Sequence, residues 1–252
     1  MTTARARSAN LQATALVSLA GDRISISGLD APFRMRRDRK ARRMLLRVDP
    51  TSGSVVLTLP RGSGLPEGLR FIAQHAAWVI SGLEAVPPAQ PFADGGEVPL
   101  RGEPHRIVKR ADARGTAWVE DGEIHVAGRP EHLKRRLRDF LVRQARQDFA
   151  ELVAAMAART GRAPAKVAIR DAKSRWGSCS ASGNLTFSWR MVLAPRHVAH
   201  YLVAHEMAHL RHMNHGPAFW ALVRDLAPDM AAARQWLRGN GAALHRFGAD
   251  LA

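Results

Sequence analysis

Alternating apolar and polar positions predict that the chain begins with β-structure. Ile24 and Ile26 alternate with polar residues, as in a strand with one buried face. Two apolar runs, at residues 44–48 and 54–59, flank a turn that contains proline and glycine. Runs separated in this way indicate a β-hairpin. Residues 1–22 show no clear pattern and are expected to be a disordered N-terminus.

A helix and further strands are expected next. Apolar residues at three- and four-residue steps predict a helix over residues 69–85, with Trp78 as a core anchor. Short strands are then expected around residues 97–100, 106–109, 117–120 and 123–127. Residues 23–128 are therefore predicted to form a mostly β region with one helix. No internal repeat is evident along the chain.

Residues 129–252 are predicted to be mainly helical around a short sheet. Apolar positions share one face over residues 133–156, and Gly161 marks the end of this long helix. Strands are expected at residues 167–169 and 185–193, on either side of a polar loop that contains a tryptophan. Three shorter helices complete the predicted order.

The stretch His205-Glu-Met-Ala-His209 carries the clearest chemical signal. Residues four apart on a helix lie on one face, so His205 and His209 can point neutral imidazoles at one metal ion. Glu206 would flank that ion and could take a proton from a water bound to it. The flanking residues are apolar, so this helix is expected to be buried and its polar residues need a partner.

A catalytic zinc site needs a third protein ligand and one open position. His215 lies six residues after His209, which is the separation in HExxHxxGxxH zinc sites. His212 is the competing ligand, but on a continued helix it would lie about 10 Å along the axis from His205. We therefore predict that His205, His209 and His215 bind Zn²⁺ and that Glu206 is catalytic.

The single cysteine and the hydropathy pattern bear on where the protein works. Cys179 cannot form an internal disulfide, which suits a reducing compartment, and it is expected to be structural and not a fourth metal ligand. No stretch approaches the roughly 20 apolar residues of a membrane-spanning helix. A short apolar run after Arg5 and Arg7 lacks a convincing cleavage site for a signal peptide. The protein is expected to be cytoplasmic.

The formal net charge of +16 favours acidic partners, including nucleic acid. Seven of the ten residues from Arg34 to Arg43 are basic. Such a run could contact phosphate backbones, but it is more often the solvated face or edge of a sheet. An arginine-rich composition, with only five lysines, explains part of the charge without any ligand. Nucleic acid is thus a candidate partner beside a protein or peptide substrate.

Four motifs in the second half resemble the YgjP-like family of predicted metal-dependent hydrolases, which are related to SprT-like zinc proteases. The motifs are residues 174–180 (SRWGSCS), 185–195 (LTFSWRMVLAP), 201–210 (YLVAHEMAHL) and 214–220 (NHGPAFW). The resemblance is strong over about residues 140–240 and looser at residues 42–50 and the Trp78 helix. The family motif usually reads His-Glu-Leu-x-His, and Met207 is a mild departure from it.

The resemblance implies a zincin-like catalytic domain in which His205, His209 and His215 hold the metal and Glu206 acts as acid and base. The chain is thus expected to be α+β, with a smaller, mostly β N-terminal region (residues 23–128) and a zincin-like metallopeptidase domain (residues 129–252). The expected function is a zinc metallopeptidase that uses a zinc-bound water.

Several points stay open at the level of sequence. The strand at residues 185–193 is expected to border the cleft, where an exposed edge could pair with an extended peptide. The candidates for stabilising the oxyanion are Arg175, Arg190 and His212. The alternative functions are a nucleic-acid-associated protein with a mainly structural zinc and a metal-dependent hydrolase of a non-peptide bond.

Overall fold

The computed structural model describes residues 15–172 and 174–248. The chain divides into two units, one ending at Val86 and the other beginning at Pro87. This division differs from the predicted boundary near residue 128, because the strands between residues 97 and 127 share a hydrophobic core with the long helix that follows them.

The N-terminal unit contains one sheet and two helices. Its elements are β1 (Val17–Ala20), β2 (Arg23–Ile26), β3 (Leu29–Arg37), β4 (Leu45–Asp49), β5 (Ser54–Leu59), α1 (Leu65–Gln74) and α2 (Ala76–Glu84). The strand order is β1-β2-β3-β5-β4, with β3 parallel to β5 and the other pairs antiparallel. The predicted hairpin of β4 and β5 is confirmed.

Three predictions for this unit need correction. Residues 17–20 form β1, although they lie in the stretch expected to be disordered; residues 1–14 lie outside the described part of the chain. The predicted helix is two helices that meet at His75. Trp78 is 53% exposed and is not a core anchor. Ala76 and Val79 occupy the buried face of α2, which leaves Trp78 on the solvent side.

The C-terminal unit contains two sheets and four helices. Its elements are β6 (Glu97–Leu100), β7 (Glu103–Arg110), β8 (Ala117–Glu120), β9 (Glu123–Ala127), α3 (Leu133–Thr160), β10 (Lys166–Arg170), β11 (Gly177–Cys179), β12 (Asn184–Ser188), α4 (Arg196–Ala208), α5 (Pro217–Leu226) and α6 (Met230–Leu244). Among the described residues the whole chain thus combines six α-helices with three sheets, a mixed architecture consistent with the predicted α+β class.

Helix α3 runs through the middle of this unit's core. It ends at Thr160, and Gly161 adopts the left-handed conformation (φ 65°) that terminates helices, as predicted. Phe140 and Phe149 are buried on its apolar face, and Phe149 stacks on Phe187 of β12 at 4.6 Å between ring centroids. The helix therefore packs against both the β6–β9 sheet and the elements that lead to the histidine-bearing helix.

The predicted strand over residues 185–193 is only half a strand. β12 ends at Ser188, and residues 189–193 form a 3₁₀ helix whose side chains are all buried. β12 is also the central strand of its sheet, with β10 parallel on one side and β11 antiparallel on the other. Both of its edges are therefore occupied, whereas β11, within the described residues, pairs with a strand on one edge only.

The two units contain the same four-strand arrangement, a repeat that the sequence does not reveal. We call β2–β5 the first module and β6–β9 the second module. In each module the first two strands form an antiparallel hairpin. The third and fourth strands form a second antiparallel pair, and the fourth strand lies parallel to the second. The registers agree, since Phe33 pairs with Val55 as Ile107 pairs with Ile124, and all four are buried.

The first hairpin turn has the same backbone in both modules. Ser27 and Gly28 have φ values of 51° and 89°, and Arg101 and Gly102 have 56° and 89°. Two successive positive φ values belong to the type I′ turn, which matches the twist of the strands that it joins. The modules share backbone geometry and buried positions but few identical residues, so a search for sequence self-similarity misses them.

The turn of the second module supports the approach to α4. The amide N–H groups of Arg101 and Gly102 donate to the carbonyls of Val192 and Leu193, at 2.7 and 3.1 Å. The Arg101 side chain forms two hydrogen bonds with the carboxylate of Asp148 on α3, at 2.8 and 2.7 Å. This turn thus ties the 3₁₀ helix before α4 to the long helix α3.

Candidate metal centre

Helix α4 places two histidines at the edge of the core. It begins directly after Pro195, whose fixed φ suits the residue before a helix. Val198, Leu202 and Val203 are buried along it, so the helix lies inside the unit as its apolar flanks predict. His205 lies in its last turn and His209 directly after its end, both partly exposed.

The chain turns back after α4 and brings a third histidine to the first two. His215 lies in the loop that leads to α5, which begins at Pro217 after the extended Gly216. One ring nitrogen from each of His205, His209 and His215 lies within 4.8 Å of the others. Nε2 of His205 and Nε2 of His215 are 3.2 Å apart. Among the described residues these three form the one cluster of metal-ligating side chains.

The competing ligand, His212, contributes a different group. Its backbone carbonyl lies 3.1 Å from Nδ1 of His209. If Nδ1 donates this hydrogen bond, Nε2 of His209 is left unprotonated and free to bind a metal. The imidazole of His212 is not part of the cluster. His212 therefore orients the imidazole of His209 through its main chain.

The three nitrogens fit a tetrahedral zinc ion. Zinc binds imidazole nitrogens at about 2.0–2.1 Å, so two such ligands on a tetrahedron lie about 3.3 Å apart. The 3.2 Å separation of His205 and His215 is close to that value. Three neutral nitrogen ligands also leave the fourth position of a tetrahedron to water or substrate.

The protein environment favours the neutral imidazole at His205 and His209. Burial, together with the charges of His209, His215 and Arg234, lowers the pKa of His205 to about 4. Burial also lowers the pKa of His209. A neutral imidazole has a lone pair to give to a cation, so these two side chains are suited to bind a metal at neutral pH.

Phe219 forms the apolar base of the cluster. This fully buried residue of α5 contacts all three imidazoles, with ring centroids 5.0 Å from His205, 4.6 Å from His209 and 4.7 Å from His215. Its ring limits the directions in which the imidazoles can rotate. The residue lies in the family-like motif at residues 214–220, at the start of one of the three shorter helices that the sequence predicts.

Glu206 is a buried acid beside the cluster. Its residue is 5% exposed, and burial raises the pKa of its carboxyl to about 7 although the charge of Arg175 opposes the shift. A carboxyl with a pKa near the working pH can both accept and return a proton. The side chain is therefore suited to general acid–base chemistry.

Gly177 makes room for that carboxylate. A Cβ at Gly177 would lie 2.7 Å from Oε1 and 2.8 Å from Cγ of Glu206, which is closer than real Cβ contacts. Gly177 is the first residue of β11, and Trp176 before it stacks on His245 of the segment after α6 at 4.3 Å. Sequence reasoning missed this glycine, although it lies inside one of the family-like motifs.

Arg234 on α6 is a second residue that sequence reasoning missed. Its guanidinium lies over the ring of Trp220, 5.1 Å from the centroid, and Trp220 is stacked on His215 at 5.6 Å. The charge of Arg234 lowers the pKa of both His205 and Tyr201, although burial raises the pKa of Tyr201 more strongly. A fixed positive charge therefore lies near the cluster.

The other candidates from the sequence lie in different settings. Arg190 is buried, bonded to Asp171 and stacked on Trp189, so it supports the fold and is not available to a substrate. Arg175 is exposed and acts on Glu206 through its charge. Cys179 is not part of the cluster, and burial raises the pKa of its thiol. A thiol held in its protonated form is a poor metal ligand.

A family model for the YgjP-like metallopeptidase domain matches residues 42–240 of the chain. The chain belongs to the YgjP-like family. The match covers nearly all of the C-terminal unit and about half of the N-terminal unit, so the looser resemblance at residues 42–50 and the Trp78 helix is part of the same family pattern. A YgjP-like metallopeptidase domain points to a metal-dependent hydrolase with protein or peptide substrates.

No curated protein and no solved structure matches this YgjP-like chain in the two other comparisons. None of the helices in the described ranges is long and apolar enough to cross a membrane. The site geometry and the family model are therefore the basis for assigning a function.

Proposed function

We propose that the protein is a zinc metallopeptidase with His205, His209 and His215 as the metal ligands and Glu206 as the catalytic acid and base. The observation that carries the proposal is the convergence of three imidazole nitrogens, all within 4.8 Å, beside a buried carboxyl whose pKa is about 7. A zincin-like catalytic domain is the arrangement that this site and the family membership favour.

When bound, zinc would supply a Lewis acid that acidifies a water and polarises the substrate carbonyl. Glu206 accepts the proton of the attacking water and returns it to the nitrogen of the leaving amine. Its buried position against Gly177 holds the carboxylate in one place for both transfers. The apolar contact of Phe219 with the imidazoles helps to exclude bulk water from the other side.

We assign different roles to the two arginines near the site. The charge of Arg175 acts on Glu206 and favours the ionised form that accepts the proton. Arg234 acts on His205 and is held over Trp220, next to His215. Arg234 is thus the better candidate to stabilise the negative charge that develops on the carbonyl oxygen. Tyr201, whose pKa is raised, stays protonated and is a second candidate donor.

The free edge of β11 is the proposed site for the substrate backbone. β11 pairs with β12 through Gly177, Ser178 and Cys179, and within the described residues its other edge has no strand partner. An extended peptide can add to such an edge through main-chain hydrogen bonds. Because Gly177 touches Glu206, a peptide on this edge would have its backbone close to the general base.

The alternatives receive less support from the site. A mainly structural zinc is usually closed by four protein ligands, often thiolates, whereas the described cluster has three histidines. A non-peptide substrate would use the same chemistry, and a substrate screen separates the two. A cytoplasmic location remains our expectation from the single cysteine.

The test is hydrolysis of an unfolded protein by zinc-loaded enzyme, with the Glu206→Gln variant as control. Gln keeps the shape of the side chain but cannot accept the proton. We expect cleavage by the natural chain and a loss of at least about 10²-fold in the variant, with equal zinc content. Equal rates for the natural chain and the Glu206→Gln variant would show that Glu206 takes no part in the reaction. An absence of cleavage at full zinc occupancy would favour the non-peptide substrate or the binding protein.

A further inference from the structure

The positive charge of the chain is concentrated in one segment of the N-terminal unit. Residues 34–43 contain seven Lys and Arg and one acid, Asp38, whereas the rest of the chain has 31 Lys and Arg against 21 Asp and Glu. All seven cations are exposed. The segment spans the end of β3 and the loop to β4, and an arginine-rich composition alone does not explain this local excess.

The sheet register places two of these cations, Arg34 and Arg36, on one face together with Arg47 of β4. Arg34 pairs with Val56 on β5, and Val56 pairs with Arg47 on β4, so the three side chains form a row across the sheet. Arg36 is on the same face and donates a hydrogen bond from Nε to Thr58. The residues that alternate with them on β5, such as Leu57, are buried on the opposite face toward the unit's core. Arg34 and Arg36 are about 7 Å apart along β3, and Arg34 and Arg47 are about 10 Å apart across the strands.

The second module is an internal control for what the fold requires. The row equivalent to Arg34, Val56 and Arg47 is Val108, His125 and Trp118, in the same register. The loop after β7 has the sequence Ala-Asp-Ala-Arg-Gly-Thr and no net charge. The same backbone is thus built without the arginines, so the basic face of the first module is not needed for folding.

An exposed aromatic ring lies at the β4 edge of this sheet, where Arg47 ends the basic row. Trp78 of α2 lines a depression of about 370 Å³ together with Arg47 and Pro50. Gly82 lets α2 approach β4 closely, because a Cβ there would lie 2.9 Å from Val48. The bases of a single strand stack on exposed aromatic rings of this kind.

We propose that the first module binds single-stranded nucleic acid, with Arg34, Arg47 and the loop cations contacting phosphates and Trp78 stacking on a base. Arginine makes two parallel hydrogen bonds to a phosphate, and six of the seven cations in residues 34–43 are arginine. A backbone of evenly spaced phosphates complements a regular array of cations. The adjacent indole adds the stacking surface that single-stranded sites combine with a positive groove.

Single strands are favoured over a duplex because the ring needs an unpaired base. A membrane surface offers phosphates but no bases for Trp78. An acidic protein offers neither an even spacing of charge nor stacking bases. The proposal is independent of the reaction at the metal centre, since none of its residues contributes to that site.

The test uses the full chain and a fluorescent oligonucleotide of about 16 nucleotides, near the upper site size of single-strand-binding folds. The test variant neutralises the loop (Arg39→Gln, Lys40→Gln, Arg42→Gln, Arg43→Gln). The matched control neutralises four exposed arginines of the C-terminal unit (Arg106→Gln, Arg114→Gln, Arg129→Gln, Arg135→Gln). Both variants have four fewer positive charges, so the comparison separates the position of the charge from its amount. In the control, Arg129 and Arg135 also lose their exposed ion pairs with Glu131 and Asp139. Far-UV circular dichroism and thermal unfolding verify that each variant is folded.

We expect the natural chain to bind single-stranded DNA and RNA with an affinity that falls as salt rises. The loop variant should bind at least about 10-fold more weakly. The slope of log affinity against log salt should decrease by about 0.7 for each phosphate that the variant no longer neutralises. The control should bind no more than about two-fold more weakly. Trp78→Ala should weaken single-strand binding about 10-fold and leave duplex binding unchanged.

Three outcomes would overturn the proposal. One is an equal weakening in the loop variant and the matched control, which would reduce the effect to net charge. The second is no binding to any oligonucleotide at low salt. The third is binding to vesicles of anionic phospholipid with none to oligonucleotides, which would identify a membrane surface instead. Hydrolysis of a short peptide by the loop variant should equal that of the natural chain, because the metal centre is untouched.

Discussion

The Glu206 carboxylate lies directly against the backbone of Gly177, with no space for even one methyl group between them. The two residues belong to different elements, α4 and β11, which are linked by this contact. The edge strand proposed to hold the substrate and the proposed general base are therefore positioned by the same pair of residues. A larger residue in place of Gly177 should therefore displace the Glu206 carboxylate.

Gly177→Ala should reduce hydrolysis by about 10² or more while the protein keeps its metal. The new Cβ would displace the carboxylate, and a misplacement of about 1 Å can cost that much in rate. Steady-state hydrolysis and zinc content measured on the same sample give the comparison. Ser178→Ala, one residue along β11, is the matched control and should stay near the natural rate. Equal activity of both variants would show that Glu206 relocates freely.

His215→Ala should lower zinc affinity by at least about 10²-fold, because it removes one of three proposed ligands. His212→Ala should change it little, since only the main-chain carbonyl of His212 contacts His209. Competition with a chromogenic chelator measures both affinities. If His212→Ala lowered the zinc affinity more than His215→Ala did, His212 would be the third ligand in place of His215.

The metal-free protein should become less stable as the pH rises, and Glu206 should be the cause. The pKa of Glu206 is about 7 in the folded chain and 4.5 when exposed. Because the pKa is higher in the folded chain than in the unfolded chain, the protonated carboxyl makes its full contribution to stability below about pH 4.5. This contribution to the free energy of unfolding is lost as the pH rises from about 4.5 to about 7. Above pH 7 the folded protein is less stable by about 3 kcal/mol. Glu206→Gln should thus be the more stable protein at pH 8 but close to the natural chain at pH 5.

Urea unfolding with a chelator present, at both pH values, measures this difference. The metal must be absent because a cation beside Glu206 would favour its charged form. Curves that differ by the same amount at pH 5 and pH 8 would show that Glu206 does not titrate with a raised pKa.

Arg234→Gln should lower kcat by about 10²-fold with little change in KM, if its charge acts on the developing oxyanion. Arg175→Gln should instead shift the pH dependence, because Arg175 acts on the pKa of Glu206. A pH–rate profile of the two variants separates the roles. A change in KM alone for Arg234→Gln would mean that it binds the substrate and does not stabilise the transition state.

A fragment of residues 87–252 should fold and bind zinc, whereas residues 129–252 should do neither. The shorter fragment lacks Ile107 and Ile124, which belong to the core around α3, and the Arg101 turn that supports the approach to α4. Circular dichroism and zinc content of both fragments test this. If residues 129–252 bound zinc and unfolded cooperatively, they would be an independent domain, and the boundary near residue 128 would be correct.

Local patterns predicted the parts of the fold that depend on neighbours in sequence. The apolar stripe and Gly161 indicated the end of α3, and the turn between residues 44–48 and 54–59 indicated the β4–β5 hairpin. The spacing of the histidines likewise led to the cluster that the structure brings together. Their binding of zinc stays a prediction, as does the role of Glu206.

The errors and omissions concern contacts between residues far apart in the chain. The strand after residue 184 stops at Ser188 because the following five residues are all buried in the core, which a period-two pattern does not reveal. Gly177 and Arg234 matter through Glu206 and Trp220, their partners on other elements. The two modules have the same backbone arrangement and the same buried positions, but these positions hold different residues, so the sequence does not reveal the repeat.

The position of the three histidines on both sides of residues 210–214 has a consequence for how long the protein survives. A metal ion bound to His209 and His215 cross-links the end of α4 to the start of α5 and closes this loop. Met213, which is 53% exposed, lies within it. Without the cross-link the loop is a natural point for proteolytic nicking. We therefore expect the abundance of this protein in the cell to follow the supply of its metal.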